Sequence, residues 1–183
     1  MLEFIILGMV LDEPLTGYDL KKEIELGVGN FYNVSYGALY PMLKKLHGKG
    51  LVTMEECPQG GRQKKYYQAT QAGRSAFWEW LSVPFDPADN SNALVKIFFF
   101  GALEPDVRRK RLEEIENYNT RMIHQLEQMQ KKFADQELDD LDYFALSTLY
   151  FGIVNGYTTH RWLEHLKERR PHAEFLQQKE QDQ

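Results

Sequence analysis

The 183-residue sequence has a single cysteine, no long apolar run and no excess of positive charge, and each shortage excludes something. One thiol, Cys57, cannot build an internal disulfide framework, so the expected setting is reducing and cytoplasmic. No apolar stretch reaches the ~18 residues that a helical membrane span requires. The apolar opening, Met1 to Leu11, lacks a basic lead-in and a small-residue cleavage site. It reads as a short buried or interface helix. A net charge of −5 would argue against a nucleic-acid partner if it were spread evenly, but it is not. Residues 35–75 carry seven basic side chains (Lys44, Lys45, Lys49, Arg62, Lys64, Lys65 and Arg74) against Glu55 and Glu56, whereas residues 76–183 carry thirteen basic and nineteen acidic ones. A basic stripe on an acidic body suits a protein that meets phosphate with one face.

Catalytic constellations are missing too. The five histidines, His47, His124, His160, His165 and His172, show no metal-ligand spacing, and His160 and His165 are five apart where one helix face needs four. Asp139, Asp140 and Asp142 read as an acidic helix start. Cys57 lies beside Glu55 and Glu56, whose charge disfavours a thiolate. With no phosphate-binding or dinucleotide glycine pattern either, the chain is expected not to be an enzyme and to hold no metal or cofactor.

What is present reads as helices and one hairpin. After the breaker Asp12-Glu13-Pro14, Thr16 caps a helix that ends at Gly27-Val28-Gly29. Ser35 caps a third helix to about Lys49, with Gly48 and Gly50 as stop signals. Two strand-like segments, 51–57 and 64–69, flank Pro58-Gln59-Gly60-Gly61-Arg62, and Thr70 caps a fourth helix. Three helices, a hairpin and a closing helix in about 80 residues is the winged helix-turn-helix layout. Pro84 to Asn92 forms a linker, and residues 92–103 an apolar segment stopped by Pro105. From Asp106 on, Leu112, Ile115, Tyr118, Met122, Leu126, Met129 and Phe133 recur at steps of three and four, a coiled-coil-like seam suited to dimerisation. A last helix spans about 140–167. The expected fold is mainly α with a small β-hairpin wing. Its parts are a DNA-binding domain (1–82), a linker (83–91), a helical dimerisation and possible effector domain (92–170) and a polar tail (171–183).

On a helical wheel the third helix turns Leu39, Leu43 and Leu46 to the core, with Gly37, Lys44, Lys45 and Gly48 opposite and Tyr36 and Tyr40 on the flank. Small residues allow close approach to a groove; Tyr and Lys donate to phosphates. Pro41 lies several residues beyond the Ser35 cap, where its ring should clash with the carbonyl of residue 37, so either the helix is kinked there or its regular part starts later. At the hairpin tip, Gly61 lets the backbone approach DNA while Arg62, Lys64 and Lys65 meet phosphates or enter the minor groove. With the capping Ser35, these are the candidate DNA-binding residues. Trp78, Phe98, Phe99 and Trp162 are candidates for an aromatic effector pocket, although aromatics at helical spacing also build plain core.

Five segments resemble the signature of the PadR family of transcriptional regulators, in order and at matching spacing. They are Gly17-Tyr18-Asp19-Leu20, Ser35 to Leu43 (SYGALYPML), Gly50-Leu51-Val52, Gly60-Gly61-Arg62 with Lys65-Tyr66-Tyr67, and Thr70-Gln71-Ala72-Gly73. Pro41 stands where that family's pattern carries a proline. Residues 92–170 resemble the helical C-terminal domain of its longer members, a type shared with virulence-gene activators. The resemblance implies a homodimer that sets two recognition helices in successive major grooves of double-stranded DNA. It also implies repression lifted by a small aromatic or hydrophobic effector. Two other readings stay open at this point: a protein-interaction module whose winged helix no longer binds DNA, and a small-molecule sequestering protein.

Overall fold

The computed structural model describes residues 1–59, 62–133 and 139–177. Contacts divide the chain into two compact units, Met1–Arg108 and Arg109–Gln183.

In the first unit, α1 (Leu2–Met9) is apolar nearly all round and buries Leu2, Ile5, Ile6 and Leu7. It stops two residues short of the expected Leu11, because Val10 already leaves helical geometry. A two-residue strand, β1 (Leu15–Thr16), follows, too short to leave a pattern in the sequence. Thr16 then caps α2 (Gly17–Gly27): its hydroxyl accepts from the Asp19 amide at 3.2 Å and donates to the Asp19 carboxylate at 2.6 Å. Ser35 caps α3 (Tyr36–Gly48) by accepting from the Ala38 amide at 3.2 Å. The end of α3 is set by Gly50, at φ 69°, whose left-handed backbone an L side chain would strain. Around it the Leu51 amide returns to the Leu46 carbonyl (3.0 Å) and the Gly50 amide to the His47 carbonyl (2.9 Å), a Schellman closure.

α3 starts directly after the Ser35 cap and continues past Pro41 to Gly48, so its regular part does not start later. The ring removes one donor, leaving the Gly37 carbonyl without its helical partner. Gly37 is exposed, so water can take that bond.

Strands β2 (Val52–Gln59) and β3 (Arg62–Ala69) pair antiparallel, with Val52 opposite Ala69, Glu56 opposite Lys65 and Cys57 opposite Lys64. β1 adds to the far side of β3, so the sheet order is β1-β3-β2. Thr70 caps α4 (Gln71–Ser82), accepting from the Gly73 amide and donating to the Gly50 carbonyl at 2.8 Å. Gly73 is required there: a Cβ would stand 2.0 Å from the Leu51 carbonyl oxygen. Ile5, Ile6, Leu7, Leu20, Ile24, Leu39, Leu43, Leu46, Phe77 and Leu81 make the core, all fully buried. At ~1.5–3 kcal/mol per buried side chain, this cluster is what holds the three-helix scaffold under the hairpin.

The stretch expected as linker is partly ordered, with a 3-10 helix at Pro87–Asn92. α5 (Ala93–Phe99) then packs back on the first unit. Its Phe99 ring meets Phe77 edge-on at 5.3 Å and lies against Gly8, while Phe98 lies against Gly27. The apolar segment ends before Pro105, as expected, and Pro105 itself begins α6 (Pro105–Lys131). The first helical position tolerates proline because its amide would have had no partner.

The second unit contains the body of α6, α7 (Asp140–Glu168) and the short α8 (His172–Gln177), which takes up part of the stretch expected as a polar tail. α6 and α7 pair antiparallel. The Asn119 side-chain amide donates to the Gly156 carbonyl at 2.8 Å, and Gln130 donates to the Tyr150 hydroxyl at 3.2 Å. Ile123 and Leu126 press on Gly156 and Gly152 of α7, where a Cβ would fall 2.5 and 3.1 Å from them. Part of the seam expected on α6 is therefore used inside the chain. Its far end is open, with Met129 and Phe133 exposed. The larger open surface is on α7, where Phe144 (68 % exposed), Phe151 (69 %) and Val154 (61 %) stand in one stripe.

Candidate nucleic-acid interface

Burying Leu39, Leu43 and Leu46 fixes the rotation of α3, so its opposite face must look outward. Ser35, Tyr36, Gly37, Tyr40, Lys44 and Lys45 are all exposed on it. The Tyr36 and Tyr40 rings run nearly parallel, 6.3 Å apart. A residue that sequence reasoning missed sits against Tyr36. Lys21 of α2 is buried, pairs with Glu25 one turn on, and sets its ammonium 4.7 Å from the Tyr36 ring centre. Tyr40 rests on Gly17, where a Cβ would come within 2.7 Å of its ring.

Two glycines on α3 have no internal reason to be glycine. A Cβ at Gly48 would meet nothing within 4 Å, and one at Gly37 would meet only the Ser35 hydroxyl, at 3.7 Å. A glycine inside an exposed helix costs roughly 0.5–1 kcal/mol relative to alanine. What these positions provide is a surface that another backbone can approach closely.

The wing stands beside this helix. Gln63, Lys64, Lys65 and Tyr67 of β3, Tyr40 of α3, and Thr16 to Asp19 at the start of α2 line a concavity of about 570 Å³. Tyr18 there is 65 % exposed, and neither it nor Gln63 stands out in the sequence as a contact residue. Gly61 and the Arg62 side chain lie outside the described residues. The cations differ in how free they are. Lys45 and Lys49 both stand 3.7 Å from the Glu3 carboxylate of α1, and Lys65 stands 3.3 Å from Glu56 across the hairpin. Among the described residues Lys44 and Lys64 have no ion-pair partner.

The four aromatics singled out for an effector are divided between the two units. Phe98 and Phe99 are edge-on neighbours at 4.9 Å, Trp78 is exposed on α4, and Trp162 is half-buried on α7. A mostly apolar cavity of about 400 Å³ lies elsewhere, between the ends of α6 and α7, lined by Leu126, Met129, Phe133, Ala145, Leu146 and Leu149 together with Asp142 and Thr148. No described helix is long and apolar enough to cross a membrane.

Residues 6–79 match the family model described as the Transcriptional regulator PadR-like family. Among curated proteins, the negative transcriptional regulator PadR of Bacillus subtilis is 29 % identical over 106 residues, covering 56 % of this chain and 58 % of its own length. The chain spans about half the length of the curated relatives it matches. Among solved structures, a PadR-like transcription factor from Bacteroides fragilis is 30 % identical, over 44 % of this chain and 76 % of that one, with a TM-score of 0.39. Bacillus subtilis PadR, solved in complex with operator DNA, is 23 % identical over 92 % of this chain and 98 % of that one, with a TM-score of 0.46.

Proposed function

This chain belongs to the PadR-like family of transcriptional regulators, and from that premise we propose that it binds double-stranded DNA selectively and acts as a homodimer. Residues 1–82 would read the DNA and residues 92–170 would join the two copies. The observation that carries the reading is the outward face of α3, with two glycines that nothing among the described residues demands, two tyrosines and Lys44, set beside Lys64 of the wing, both lysines without an ion-pair partner among the described residues. A helix with small residues can enter a major groove about 12 Å wide, while Tyr and Lys hold the phosphates on either side.

The stripe Phe144, Phe151 and Val154 on α7 supports dimerisation. Such spacing suits helix-against-helix packing, and large apolar side chains left in water mark association surfaces. The relative from Bacillus subtilis is named a negative regulator, which supports repression. A small hydrophobic effector would relieve it only in proportion to its differential affinity for the DNA-bound and free arrangements. The mostly apolar 400 Å³ cavity between α6 and α7 is of a size to take one.

The test is anisotropy titration of labelled upstream intergenic DNA at several salt concentrations, with wild type and the Lys44→Ala/Lys64→Ala variant. Each lost phosphate contact should lower the log–log salt slope by about 0.9, together with the affinity. Binding without sequence preference, or an unchanged slope in the variant, would overturn the interface and favour a protein-interaction role for the winged helix.

A further inference from the structure

Where α6 and α7 pair, three side chains with metal-binding chemistry come together. His160 and Glu164 lie one turn apart on α7 and share a face; Glu116 comes from α6. One ligand atom from each lies within 4.8 Å of the other two. The imidazole stands between the carboxylates, with Nδ1 3.9 Å from Glu116 Oε1 and Nε2 3.8 Å from Glu164 Oε1. His160 Nδ1 is shut off from solvent and has no hydrogen-bond partner. Glu116 is largely buried, and the Lys167 ammonium holds both its oxygens, at 2.6 and 2.7 Å.

We propose that Glu116, His160 and Glu164 form a binding site for a divalent transition-metal ion, zinc in the first instance, that ties α6 to α7. Two carboxylates offset most of a dication's charge even with Lys167 kept on Glu116, and one imidazole nitrogen selects transition metals over magnesium and calcium, which prefer oxygen alone. Zinc takes such ligands at about 2.0–2.2 Å, which puts them roughly 3.4 Å apart in a tetrahedron, with water completing the fourth position. Closing from spacings of up to 4.8 Å needs movements of up to about 1.4 Å, with one ring nitrogen of His160 turned to the ion. Glu164, half exposed, has the freedom to make them. Lys167 holds the cation's place on Glu116 and gives up one oxygen when the ion enters. Such a site does not depend on whether the chain binds DNA.

The experiment uses the full, untagged and metal-stripped chain. Zinc affinity is measured by competition with a chromogenic chelator, cobalt substitution reports the ligand field by its visible bands, and the melting temperature is followed with each ion. One zinc per chain is expected, with a rise in melting temperature. His160→Gln and Glu164→Gln should each weaken binding at least ~10-fold while leaving the metal-free melting temperature unchanged. Lys167→Met should tighten it, since the competing cation is gone, and His172→Gln should leave it alone. A dissociation constant weaker than about 100 µM would overturn the site. Equal binding of calcium, or zinc binding that survives His160→Gln but not His172→Gln, would overturn it as well.

Discussion

Gly17→Ala separates the shape of the proposed DNA-binding face from the stability of the fold. Gly17 is the first residue of α2, and its φ is not in the left-handed region, so alanine meets no backbone objection there. The new methyl would stand 2.7 Å from Tyr40 Cε1 and 3.0 Å from both Cζ and the hydroxyl oxygen. Carbon atoms rest at about 3.5–4.0 Å, so the ring must withdraw by roughly 1 Å. Tyr40 is 48 % exposed and can do so without disturbing the core. The change in melting temperature should stay within ~2–4 °C, the equivalent of about 1 kcal/mol in a chain of this length. DNA affinity should suffer more. A hydrogen bond to a charged group contributes about 1.5–3 kcal/mol, so displacing the Tyr40 hydroxyl from a phosphate should cost on the order of tenfold per protomer. Tyr40→Phe should lose a similar amount. Because both changes act through one hydroxyl, the double variant should be no worse than the poorer single one. Anisotropy titration and a thermal melt of all four proteins make the test. Unchanged affinity in Gly17→Ala, or costs that add in the double variant, would refute the placement of Tyr40 on phosphate.

Phe151→Glu puts a charge in the exposed stripe of α7 and should leave the melt of the monomer within ~0.5 kcal/mol of wild type, as surface changes do. If the proposed dimer forms through this stripe, sedimentation should show the variant as a monomer at micromolar concentration where wild type is dimeric; a variant as dimeric as wild type would move the proposed interface off α7. At alkaline pH the Tyr157 phenol, which donates to Glu127, should titrate above its usual value. The hydrogen bond to the carboxylate raises it most, and desolvation and the carboxylate's charge add to that. A raised folded-state value means that the contribution of this contact is complete below pH about 10 and fades as pH climbs through the folded pKa. Tyr157→Phe should therefore flatten the alkaline end of the stability profile, as read by denaturant melts against pH; a profile identical to wild type would show that the bond contributes nothing.

Much of the fold is legible in the sequence because its signals are local. Thr16, Ser35, Thr70 and Asp139 each accept from an amide three residues on, so the cap and the helix it starts are written together. Features that escape such reading depend on distant partners. β1 exists only because Leu15 and Thr16 meet Tyr67 and Tyr66, some fifty residues later. α5 groups with the C-terminal helices by composition, since nothing in its letters says that Phe99 will fill the space beside Gly8 and Phe77. Pro105 carries the same letter whether it ends one helix or begins the next. In the candidate interface, the helical wheel turns Lys45 outward but cannot show Glu3 beside it, forty-two positions back in the chain. Comparing histidines only with one another hides His160. Its neighbour one turn on is a glutamate, and the third ligand comes from another helix.

The Glu3 carboxylate has a thermodynamic consequence for how this face would behave in salt. DNA binding gains entropy when cations condensed on phosphate are released, and the slope of affinity against salt counts those released ions. Lys45 and Lys49 already carry an internal anion, and Lys65 carries Glu56. When phosphate arrives, the lysines exchange one carboxylate for it, and the displaced carboxylate gathers a cation from solution. Part of the ion release is thereby cancelled. The salt slope of this protein should count Lys44 and Lys64 in full and the other three only in part, so the face would hold DNA with more lysines than its salt dependence reveals.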